Sequence, residues 1–166
     1  MTVRGGAMAC EIVSSWRVVL VVWGKPELRD LKAIEREVKM VYEAFGPVIF
    51  IARVPPHAEA PEQHVREAIA QLLERFTEMC LSYHTVLEGS GFAVAAKRMV
   101  LSTIIMMTGR RNRYHVHSRC EEAALAVPAA RRAEALRALR LFRVRGLLER
   151  EQPSRASIDD VRTGIG

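Results

Sequence analysis

The stretch "RVVLVVWGKPELRDLKAIEREVKMVYEAFGPVIFIARV", residues 17–54, decides the fold class. It contains "VVLVVW", the end of a β-rich segment that begins near Ile12. The run is rich in β-branched residues and does not alternate. An interior strand covered on both faces reads this way. Gly24, Lys25 and Pro26 close it. From Leu28 to Phe45, the residues Leu31, Ile34, Val38, Val41 and Phe45 recur at steps of three and four, which predicts a helix with one apolar stripe. Gly46 and Pro47 stop that helix, and residues 48–54 form a second short apolar strand. Parallel neighbours need a long connection between them, and a helix supplies it.

The alternation continues outward. "PPHAEAP" is a loop, with Pro61 near the first turn of a helix striped by Val65, Ile69, Leu72, Phe76 and Met79. Residues 82–89 are a third strand, 91–108 a helix, and 112–118 a fourth strand. Ser118 with Glu121 has the S-x-x-E spacing of a capping box and opens a short helix that Pro128 interrupts. Residues 131–148 form another helix. The order β-α-β-α-β-α-β-α-α predicts an α/β protein with an open, mostly parallel sheet, its right-handed crossovers placing helices on both faces. Residues 1–11 read as a leader, 12–128 as the α/β domain, 129–150 as a basic C-terminal helical extension, and 151–166 as a flexible tail.

With 166 residues, 49% of them apolar, the chain can bury the core of one domain. Its longest nearly apolar run, residues 16–23, is too short to span a bilayer, and the start lacks a signal-peptide pattern. A cytoplasmic setting is the expectation. Cys10, Cys80 and Cys120 are scattered and odd in number, so reduced thiols are expected. Cys80 reads as a small buried hydrophobe.

The net charge is +6, from 21 arginines and four lysines against 19 acids, and residues 131–166 hold +4 of it. Such a balance attracts nucleic acid, anionic lipid or an acidic partner without selecting one. In "RRAEALRALRLFRVRG", residues 131–146, Leu136, Leu139 and Phe142 form an apolar strip. Arg132, Arg137, Arg140 and Arg143 surround it with charged stems. The expectation is a terminal helix docked on the domain, with Arg137, Arg140 and Arg143 as interaction candidates. No recognition helix, aromatic RNA platform or acylation motif is present, so no specific nucleic-acid partner is expected.

Helix 91–108 is apolar around most of its circumference. It should lie centrally under the sheet or form a subunit interface, a homodimer being the simplest case. His115 and His117 share a face of their strand, with His84 or Cys120 as a further ligand in a metal reading. Two histidines alone leave such a site incomplete, and no metal or cofactor is expected. Glu121 is explained by capping, and adjacent Glu122 does not face it. Cys120 sits beside Arg119 at a helix start, a setting that favours thiolate, but no base accompanies it.

"VLEGSGFAVAAKR", residues 86–98, carries the functional reading. Gly89 and Gly91 let a strand turn closely into a helix. Ser90 is placed to cap that helix, whose first amides also suit an anion. Neither nucleotide-binding glycine motif nor the nucleophile elbow is present. The element order and "LEGSGFAV" resemble the STAS family of anti-sigma-factor-antagonist-like domains, and the wider group of STAS and lipid-transfer-like α/β domains. By position, Glu88 stands at the family's acid, Gly89 at its first serine, Ser90 at its phosphorylatable serine, Gly91 at its glycine and Phe92 at the following apolar residue. The sequence departs from the family at Glu88 and Gly89. The resemblance implies a non-enzymatic, regulatory protein-interaction domain switched by phosphate on Ser90. The competing expectation is a small-molecule or lipid-binding module, suggested by helix 91–108.

Overall fold

The computed structural model describes residues 10–108 and 114–148. The elements, in order, are β1 (Cys10–Ser15), β2 (Val18–Trp23), α1 (Leu28–Phe45), β3 (Val48–Val54), α2 (Gln63–Arg75), β4 (Cys80–Leu87), α3 (Phe92–Met107), β5 (Tyr114–His117), α4 (Cys120–Ala126) and α5 (Ala129–Val144). A single 3-10 turn, Phe76–Glu78, follows α2. Most of the expected leader, the start of the expected fourth strand and the whole of the tail lie outside the described residues.

The strands lie in chain order, β1-β2-β3-β4-β5. The first pair is antiparallel, and the other three pairs are parallel. The segment expected to be one strand from Ile12 is therefore a hairpin, which turns at Trp16 and Arg17 with Ser15 opposite Val18. Trp16 adopts a positive φ of 54° there. No glycine, proline or asparagine marks this turn, which is why the sequence hides it.

Sequential order also changes the layering. Each crossover steps the same way along the sheet, so crossovers of one hand put α1, α2 and α3 on one face. That face holds Val19, Val21, Phe50, Ala52 and Tyr83 against Ile34, Val38, Ile69 and Leu72. The opposite face, with Val18, Leu20, Ile49, Ile51 and Val86, is covered by α4 and α5. Helices do flank both faces, but the second layer comes from the C-terminal helices and not from crossovers. Strands β2 and β3 are buried on both sides, which explains their unbroken apolar sequence. Ala135, Ala138, Leu139 and Phe142 of α5, with Leu147 and Leu148, share one core with the sheet.

Two expected caps are displaced. Helix α4 is capped at Arg119, one residue after Ser118, so Glu122 takes the third helical position. Its Oε2 accepts the Ser118 backbone N–H at 3.0 Å, and Glu121 pairs instead with Arg143. Helix α3 is capped at Gly91, without a side-chain bond. Ser90 therefore does not cap it.

Candidate functional site

The β4–α3 junction is built from both ends. Arg53, at the end of β3, holds Glu88 in a two-pronged pair, Nε to Oε1 at 2.7 Å and Nη2 to Oε2 at 2.8 Å. Its Nη1 donates to the Leu147 carbonyl at 3.3 Å. Glu88 is thus committed to Arg53, which ties β3 both to the end of β4 and to the chain after α5. Gly89 and Gly91 have φ of 96° and 81°, a region that disfavours side chains. The chain rises between them and presents Ser90 at the surface. Phe92 follows with 90% of its surface exposed.

Helix α3 lies on one face of the sheet, yet it is not the enclosed, central helix that one of the two expectations had. Of its residues, only Val94 and Ile104 are buried. Phe92, Met99 (73% exposed) and Met106 are exposed, and their spacing of seven residues puts them on one side. The inner side carries Lys97, Val100, Leu101 and Ile104, which line a cavity between α3 and the sheet. Lys97 Nζ crosses to the loop after β3, donating to the carbonyls of Pro55 at 2.9 Å and Pro56 at 2.6 Å.

On the other sheet face, β4–β5 pairing brings His84 against His115 and His117. His84 is opposite His115. The His84 ring stacks on those of His115 and His117, with centroids 5.2 and 5.3 Å away. His84 Nδ1 lies 3.1 Å from His117 Nε2, and its Nε2 lies 2.8 Å from Ser82 Oγ. Among the described residues no group of three or more histidine, cysteine or acidic side chains is placed to hold a metal ion. Burial, then the neighbouring His117 and His115, lowers the His84 pKa to about 3. That of His117 is lowered as well, first by burial. His57 and His64 are exposed.

The three cysteines are free and buried. Burial raises the Cys120 pKa to about 12, with Glu88 adding to the effect. The activated thiolate that Arg119 suggested is therefore not found: enclosure between α4 and the sheet outweighs a nearby cation. Of the arginines singled out on α5, Arg137 lies over the Trp16 ring at 5.9 Å, Arg143 pairs with Glu121, and Arg140 is exposed. Two of the three are thus engaged in holding α5 in place.

These features define an α/β protein with a five-stranded, mostly parallel sheet and helices on both faces. Among the described residues no helix is long and apolar enough to cross a membrane. Compared with family models, with curated proteins and with solved structures, the chain has no match in any of the three.

Proposed function

We propose that the chain is a STAS-like regulatory protein-interaction module, working by reversible association and not by catalysis. Ser90 is its switch, and the outer stripe of α3 its docking surface. The observation that carries this reading is the exposure of Ser90 two residues before exposed Phe92, at the head of a stripe continued by Met99 and Met106. An exposed apolar strip of this kind marks an interaction surface. Methionine adapts to the shape of a partner. A phosphate on Ser90 would add about −1.5 to −2 charges beside the free amides of the first turn of α3, at the edge of that surface.

A photo-crosslinking residue at position 92 tests the docking surface, with the same residue at exposed Lys32 on α1 as the control. The reading expects a discrete protein adduct from position 92 that is absent from position 32 and weakened by Ser90→Asp. Equal adducts from both positions would remove the docking surface. An adduct insensitive to Ser90→Asp, with no phosphate in the intact mass, would remove the switch.

A further inference from the structure

A cavity of about 110 Å³ lies between the sheet and α1, α2 and α3, near the carboxyl ends of β2, β3 and β4. Phe50, Ala52, Ile69, Leu72, Val100 and Ile104 contribute to a predominantly apolar wall. For scale, an apolar cavity of about 150 Å³ stays dry and admits benzene. The space therefore suits one aromatic ring or a short alkyl chain, and it is far too small for a nucleotide.

Lys97 is among the residues that line this cavity. Its ammonium carries three N–H donors, and two are used by the Pro55 and Pro56 carbonyls. Those acceptors are neutral, and Lys97 makes no ion pair with the described residues. Glu59, which also lines the cavity, has its carboxylate 3.4 Å from Lys25. An apolar cavity beside an ammonium with one donor to spare suits an apolar molecule that ends in an anion.

We propose that this cavity binds a small apolar monocarboxylate, either a fatty acid with a short alkyl chain or an aryl acid. Its body lies among Phe50, Leu72 and Ile104, and its carboxylate accepts a hydrogen bond from Lys97. The site uses the inner side of α3 and does not depend on the outer docking stripe.

Trp23 lines the cavity and reports on it directly. The full-length chain carrying Trp16→Phe, which leaves Trp23 as its sole tryptophan, would be titrated with hexanoate, phenylacetate and 1-hexanol while its fluorescence is followed. The expected result is a saturable change with hexanoate, phenylacetate or both at millimolar concentration or below, and the responding acid identifies chain or ring. The alcohol should bind about tenfold more weakly, the effect of one charge-assisted hydrogen bond. Lys97→Met should erase that preference and Lys97→Arg retain it. Absence of a saturable response to either acid overturns the site. Equal binding of acid and alcohol, or a preference that survives Lys97→Met, overturns the carboxylate assignment. These titrations stand whether or not position 92 yields an adduct, so the two proposals fail separately.

Discussion

Arg53 and Glu88 meet side on at the ends of β3 and β4, through two bonds of 2.7 and 2.8 Å, and Arg53 is only 8% exposed. Glu88, which the STAS resemblance sets at that family's acid, is held in a structural ion pair. Exposure begins one residue later, at Gly89.

Removing Glu88 takes its carboxylate partner from the buried Arg53 guanidinium. Glu88→Ala should lower unfolding free energy by about 3 kcal/mol, read as a shift of the urea midpoint at constant slope. A loss below about 1 kcal/mol, the range of surface pairs, would contradict the burial of Arg53.

Gly91 caps α3 at φ 81° and ψ −160°, a region essentially reserved for glycine. A Cβ there would meet nothing within 4 Å, so the cost of Gly91→Ala is backbone strain alone, about 1–3 kcal/mol. Chemical denaturation of the variant measures it. A neutral result would mean that the junction turns differently.

The two sides of α3 should respond oppositely to substitution. Ile104→Ala empties buried space and should cost about 2–5 kcal/mol. Met99→Lys replaces an exposed side chain and should stay within about 0.5 kcal/mol. Comparable losses at both positions would place α3 in a different orientation.

His84 makes stability depend on acid. Its folded pKa, about 3, lies below the ordinary value of 6.5. Above pH 6.5 neither state binds the proton, and there is no penalty. As pH falls below 6.5 the unfolded chain takes up a proton that the folded chain refuses. Stability is then lost at up to about 1.4 kcal/mol per pH unit until the folded pKa is reached. Ser82, His115 and His117 face this ring, and Glu122 acts on His117. His84→Phe should flatten the decline between pH 6.5 and 4, measured by urea midpoints. An unchanged slope would show that His84 is protonated as readily in the fold as outside it.

The thiols of Cys10, Cys80 and Cys120 are each pushed up to about 12 by burial. At pH 8 the native protein should react with an aromatic disulfide reagent only as fast as it unfolds, whereas denatured chain reacts at once. Prompt modification of one native thiol would expose that cysteine as accessible.

Local periodicity by itself determined the body of the molecule. The stripe of α1, the unbroken runs of β2 and β3, and the glycine-marked junction before α3 are all legible, because a helix or a doubly covered strand imposes its pattern on neighbouring residues. The hairpin at Trp16 was hidden, since no turn residue announces it. The stacking of His84 on His115 and His117 was decided by the register of β4 on β5, and the common face of α1, α2 and α3 by the direction in which the strands are added. The cavity beside Lys97 depends on how far α3 stands from the sheet. These are relations between segments distant in the chain. They are set by how whole faces pack together, which no short stretch of sequence encodes.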